Sequence, residues 1–99
     1  MRAVPPVSPG EMLDEEFFKP LGLTKYRLAK DIGVPPQRIG DIVAGKLAVT
    51  ADTDLRLCRY FRFSDGWWLR GQAAYDTAIV KDAMSVELSR IQRCSLLAA

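Results

Sequence analysis

Apolar residues recur at helical spacing in five stretches of the chain, and no stretch alternates apolar and polar positions as a half-buried strand would. Leu13 and Phe17 stand four apart. Leu28, Ala29 and Ile32 follow, then Ile39, Ile42 and Val43, each set on one helical face. Leu55, Cys58 and Phe61 recur every third residue. Beyond Tyr75, Val80, Met84, Leu88 and Ile91 form a last stripe. The pattern predicts five helices and no strand.

The punctuation between these stretches agrees. Ser8 is placed to cap the first helix, with Pro9 at its first position and Glu11 at capping-box spacing; Pro20 and Gly22 should end it. Thr24 caps the second helix, Lys25 to Ile32, and Gly33 stops it where a left-handed residue is needed. Pro35-Pro36 opens the third, from Gln37 to about Ala44, which leaves Gln37, Arg38, Asp41 and Ala44 pointing outward; Gly45 ends it. Thr50 caps the fourth, Ala51 to about Phe61, with Asp52 and Asp54 in the turn where the helix dipole favours acids and Arg59 where it favours bases. Ser64 should cap a long fifth helix anchored by Trp67, Trp68 and Leu69. The Val80–Met84–Leu88–Ile91 stripe lies past the compact core and reads as a seam between two copies.

Ninety-nine residues make one small domain, which gains from pairing with a copy of itself. At 48% hydrophobic and 26% charged residues it is an ordinary globular chain. Histidine is absent, which removes His-dependent nucleophile pairs, His general bases and His metal sites. Cys58 and Cys94 form no CxxC and read as two free thiols, one of them in the core. The opening MRAVPPVSPG has no apolar run of signal-peptide length, and no segment approaches a membrane span, so a cytoplasmic protein is expected.

Charge is unevenly placed. Residues 1–18 carry one base and four acids; residues 19–62 carry nine bases and four acids; residues 63–99 balance. A basic middle fits a nucleic-acid binder, and equally a solvated mixed-charge face. Gly40 to Lys46 matches G-x-x-x-x-G-K, but Leu47 replaces the magnesium-binding hydroxyl and the run lies in a predicted helix, so it is a coincidence. Glu15/Glu16 and Asp52/Asp54 are neighbours that do not converge on a helix. No enzyme, cofactor or metal is expected.

The constellation that carries function is the second helix, the Gly33 turn and the third helix. Small Ala29 permits a close crossing, Gly33 turns the chain, and Val34 and Ile39 are buried. This is helix-turn-helix spacing, and it presents the start of the third helix to a major groove.

These residues, together with Gly22-Leu-Thr-Lys-Tyr-Arg-Leu-Ala-Lys, Ile32-Gly-Val-Pro-Pro-Gln-Arg-Ile, Ile42-Val-Ala-Gly-Lys, Val49-Thr50-Ala-Asp-Thr53 and Leu57-Cys-Arg-Tyr-Phe61, resemble the HigA (VapI-like) antitoxins of the Xre, lambda-repressor-like class. Pro9-Gly10-Glu11, Trp68-Leu69 and Gln72-Ala-Ala-Tyr-Asp76 extend the likeness over roughly residues 8–80 and are its more specific part. The resemblance implies an all-α, five-helix lambda-repressor-like domain with a long C-terminal helix. It implies a homodimer on palindromic operator DNA beside its own operon, and a RelE-like (HigB-type), mRNA-cleaving toxin as partner.

By the same resemblance, Gln37 and Arg38 stand at the base-reading start of the recognition helix, while Lys25, Lys46 and Thr50 fall at phosphates. Arg38 suits the O6 and N7 of guanine; Asp41 needs a cytosine amino group, or it repels a phosphate. Where the family often has Asn, a polar or basic residue, and Arg, this chain has Gly40, Ala44 and Leu47. It has no Asn at all, so weaker or less selective DNA binding is expected. Arg56, Arg59 and Arg62 read as solvated, and Asp14 and Glu15 as an acidic face that a basic toxin could use. The expected layout is a flexible arm over 1–7, a DNA-binding domain over 8–75 and a dimerising extension over 76–99. A stand-alone Xre-type regulator and a helical adaptor without DNA binding are the alternatives.

Overall fold

In the computed structural model, which describes residues 6–97, the chain is all helical among the described residues. The first five residues of the expected arm, and residues 98–99, lie outside them. Helix α1 begins as Pro9–Leu13 and continues through a π-helical stretch, Asp14–Phe18, and Lys19–Leu21. Then come α2 (Lys25–Ile32), α3 (Pro36–Val43), α4 (Ala51–Phe61), α5 (Trp67–Ala83) and a short α6 (Ser85–Ser89). Six helices thus stand where five were expected.

Most of the predicted caps are present. The Ser8 hydroxyl accepts the Glu11 amide at 3.2 Å, and Thr24 accepts that of Arg27 at 3.0 Å. Gly33 is left-handed (φ 74°), and the Val34 amide reaches back to the Ala29 carbonyl at 3.0 Å, closing the turn. Gly22 ends α1 as expected, but Pro20 does not. Pro20 lies inside the helix, which ends only at left-handed Gly22. Proline has no amide and would crowd the carbonyl four residues back. The wider π turn, in which the Lys19 amide reaches Asp14, accommodates it.

The core joins Leu13 and Phe18 of α1, Leu28, Ala29 and Ile32 of α2, Ile39 and Ile42 of α3, and Leu57 and Cys58 of α4 to Val34, Val49 and Trp68. Two inward positions differ from expectation. Leu55 is exposed and Leu57 fully buried, because the inward stripe of α4 runs through Asp54, Leu57 and Cys58. Leu69 is exposed, because Trp68 takes the inward place one residue earlier. Phe17, Phe61, Phe63 and Trp67 surround Trp68 as an aromatic cluster. Within it Phe63 and Trp67 stack at 4.1 Å, 6° from parallel.

Ser64 does not cap α5. The N-cap is Gly66 (φ 91°), and the capping group comes from another helix. The buried carboxylate of Asp54 accepts the Gly66 amide at 2.7 Å and the Leu69 amide at 2.8 Å, and the Cys58 thiol donates to it at 3.4 Å. Asp54 was read as a first-turn acid of α4; it also holds the start of α5.

Two glycine-dependent approaches position the third helix. A Cβ on Gly10 would stand 2.8 Å from Val43 Cα, so α1 crosses α3 with backbone nearly touching backbone. At Gly33, Arg56 donates to the Ile32 carbonyl at 2.7 Å and to that of Gly33 at 3.3 Å, while its Nε holds Asp52. Arg56 therefore clamps the turn, where the sequence had it solvated. Arg59 pairs with Asp65 at 3.2 Å.

Helix α5 runs unbroken across positions 75 and 76. From Ile79 to Leu97 every residue is exposed. The apolar stripe is not one helical face. Met84 (φ −109°, ψ 21°) breaks the helix, and α6 ends at Ser89, leaving Ile91 beyond it and 70% exposed. A solitary helix with no packed face is marginal, so the regular spacing alone does not sustain it. Val80, Met84 and Leu88 still come together, lining a groove with Asp76, Thr77 and Lys81.

Candidate nucleic-acid interface

Helices α2 and α3, joined by the Gly33 turn, pack on each other through Leu28, Ala29, Ile39 and Ile42. Burial of that face fixes what α3 presents outward. Gln37 is exposed; Arg38 and Asp41, one helical position and one turn further on, are half-buried. Gln37 Nε2 donates to Asp41 Oδ1 at 3.1 Å, which leaves the Gln37 amide oxygen as an acceptor. The Arg38 side chain has no hydrogen-bond or ion-pair partner among the described residues. It stands close enough to Asp52 to help Arg56 lower that carboxylate's pKa, Arg56 being the larger cause.

Lys25, at the start of α2, and Lys46, after α3, are exposed and likewise unpaired among the described residues. Thr50 is exposed, but its hydroxyl is committed to capping α4, where it accepts the Thr53 amide at 3.5 Å. Gly40 points into open space, and Ala44 and Leu47 are exposed, so the outer face of α3 past Asp41 is short of polar groups. The G-x-x-x-x-G-K run spans the end of α3 and its turn, where the Lys46 and Leu47 amides are spent on the Asp41 carbonyl at 2.8 and 3.2 Å. It offers no phosphate cradle.

The polar network behind this face went unread in the sequence. Asp31 of α2 accepts the Tyr60 hydroxyl at 2.6 Å and Arg27 Nε at 2.8 Å. The hydroxyl first, and then the guanidinium, hold the Asp31 carboxyl below its ordinary pKa; Asp31 in turn raises Tyr60. The loop after α3 is tied to α5, where Gln72 accepts the Val49 amide at 3.0 Å. Spacing alone gave no signal for these long-range pairs.

The acidic face of α1 is less free than its composition implied. Lys19 reaches Glu15 at 2.7 Å and Asp14 at 3.5 Å, and its pKa is raised chiefly by the bond to Glu15. Both predicted acids thus share one lysine, while Glu16 has no ion-pair partner among the described residues.

Residues 15–68, more than half of the chain, match a family model described as helix-turn-helix. Virulence-associated protein I of Dichelobacter nodosus is 44% identical over 86 residues, spanning 86% of this chain and 80% of that protein. Antitoxin HigA-1 of Vibrio cholerae is 35% identical over 71 residues, spanning 72% and 67%. A solved structure of the Pseudomonas aeruginosa antitoxin HigA with the higBA promoter superposes with a TM-score of 0.82 at 31% identity, covering 93% of this chain and 99% of that one. Fold and match together define a helix-turn-helix domain of the Xre type. Within that class, the chain belongs to the family of HigA antitoxins and VapI-like proteins. Among the described residues, no helix is long and apolar enough to cross a membrane, and no cluster of acids and cysteines could hold a metal.

Proposed function

We propose that this chain is the antitoxin of a type II toxin–antitoxin pair. It binds operator DNA as a homodimer, represses its own operon, and neutralises a RelE-like, mRNA-cleaving toxin. The observation that carries the DNA reading is the outward start of α3, with Gln37, Arg38 and Asp41 presented by a buried helix pair and unpaired Lys25 and Lys46 on neighbouring segments. Arg38 has the geometry to read guanine in a bidentate way, and the lysines need only approach phosphates as point charges. Thr50 contributes through its capped helix start, whose amides favour a phosphate.

The homodimer reading rests on the exposed run from Ile79 to Leu97, which includes Ile91, and on the groove of Val80, Met84 and Leu88. The toxin reading rests on the acids of α1, where Asp14 and Glu15 share Lys19 and a stronger cation from a basic ribonuclease could compete for them.

Co-expression with the product of the adjacent gene tests the whole reading, through size exclusion, growth and RNA cleavage. A stable complex that restores growth and silences cleavage supports the antitoxin. A dimer that shifts its own upstream DNA, with no such complex, makes the chain a stand-alone regulator. Neither complex nor shift makes it an adaptor.

A further inference from the structure

The loop from Ala44 to Thr50 carries two of the proposed phosphate contacts, Lys46 and Thr50. Its first amides fold back on α3: those of Gly45, Lys46 and Leu47 return to the Ile42 and Asp41 carbonyls. The second half of the loop has a different anchor. Val49 is buried, and its amide is accepted at 3.0 Å by Oε1 of Gln72, a residue 23 positions later on α5. Gln72 Nε2 then donates to Asp76 Oδ1 at 2.9 Å, one turn along the same helix. The chemistry fixes the amide's orientation, since an oxygen must face the Val49 N–H and an NH2 must face a carboxylate. Asp76 thereby prevents Gln72 from flipping.

We infer that Gln72, oriented by Asp76, is the positioning residue that sets the phosphate-contacting loop for DNA binding. It touches no base or phosphate itself. It fixes Val49, and so fixes the chain between Lys46 and Thr50 on either side. One groove is lined by Lys46, Gln72 and Asp76 together. Asp76 also borders a second groove, with Val80, Met84 and Leu88, so α5 carries the loop anchor and begins the proposed pairing surface, which continues past the Met84 break onto α6. This inference rests on the DNA reading above.

The test compares the full-length protein, Gln72→Ala and the exchange Gln72→Glu/Asp76→Asn on operator duplex across a salt series, with amide exchange at Val49 as a second readout. The exchange keeps the net charge, retains an oxygen for the Val49 amide and reverses the direction of the Gln72–Asp76 bond; it also moves the carboxylate to residue 72, in the groove that Lys46 lines. Gln72→Ala is expected to speed Val49 exchange, to weaken operator binding about eightfold at 0.1 M salt and to lower the salt slope by about one. The exchange variant should restore Val49 protection and the salt slope, while its affinity stays below wild type because the carboxylate now stands at residue 72. Wild-type slope and affinity in Gln72→Ala would overturn the inference. So would an exchange variant that protects Val49 again but keeps the lowered slope. If the unaltered protein shows no salt-dependent binding, the DNA reading itself fails and the inference falls with it, a result distinct from the other two.

Discussion

Gly10 and Val43 meet backbone to backbone: a single added Cβ at residue 10 would lie 2.8 Å from Val43 Cα and 2.9 Å from its carbonyl oxygen. The start of α1 thus seats the end of the recognition helix directly. Gly10→Ala should force the helices apart at a cost of about 1–3 kcal/mol, an overpacking penalty with rigid backbone on the other side. Urea unfolding measures it. A change below about 0.5 kcal/mol would show that α1 yields freely.

Asp54→Ala should be the most damaging single change. It leaves the Gly66 and Leu69 amides without their buried acceptor. A loss of about 3–5 kcal/mol is expected, against about 5–10 for a whole domain of this size. Asp54→Asn keeps one acceptor oxygen and should cost less than half as much. Equal losses would show that one acceptor oxygen does not suffice, so that both carboxylate oxygens are required; small losses in both variants would show that α5 does not depend on this cap.

For DNA, Arg38→Ala should cost about 1–3 kcal/mol on operator and relax the preference at one base pair. Lys46→Ala should weaken all sequences alike and lower the salt slope by about one. Equal loss on operator and random DNA for Arg38→Ala would remove its reading role.

Acid should loosen the α2–α4 contact. Asp31 has a depressed pKa in the folded state, so its bonds to Tyr60 and Arg27 stabilise the fold above the ordinary carboxylate value and lose that effect as pH falls through the lower, folded one. Tyr60 is shifted upward, so its share disappears as pH rises through a value above 10. Tyr60→Phe should therefore lower the urea midpoint at neutral pH, with the gap to wild type closing at both extremes. A gap independent of pH would assign the effect to packing. Asp31 is exposed and Tyr60 only half-buried, so water screens the pair and the effect should be small.

Leu88→Asp or Met84→Glu places a charge in the groove beside Val80 and should yield monomers in sedimentation. An unchanged dimer would move the pairing surface elsewhere on the exposed 79–97 segment.

Local signals were legible in the sequence. Ser8, Thr24 and Thr50 cap as their spacing implied, Gly33 turns the chain, and the α2–α3 pair follows from Ala29, Val34 and Ile39. What escaped was partnership across distance. Asp54 looks like any acid in a first turn until α5 is docked on it, and nothing near Gln72 names Val49. The face of α4 was misassigned because an acid, Asp54, occupies a core position, which shifts an apolar count toward Leu55. The last stripe misled for another reason: Val80, Met84, Leu88 and Ile91 keep helical spacing through a backbone break at Met84.

Trp68 is buried at the root of α5, while residues 79–97 stand in water. From Trp68 to Ala83 the helix is about 22 Å long, so it acts as a lever with its fulcrum in the aromatic cluster. A tilt of about 10° at that fulcrum displaces the far end by about 4 Å, more than one base-pair rise of duplex. If two copies pair through the extension as proposed, the fit of Phe17, Phe61 and Phe63 around one indole would set how far apart two operator half-sites can lie.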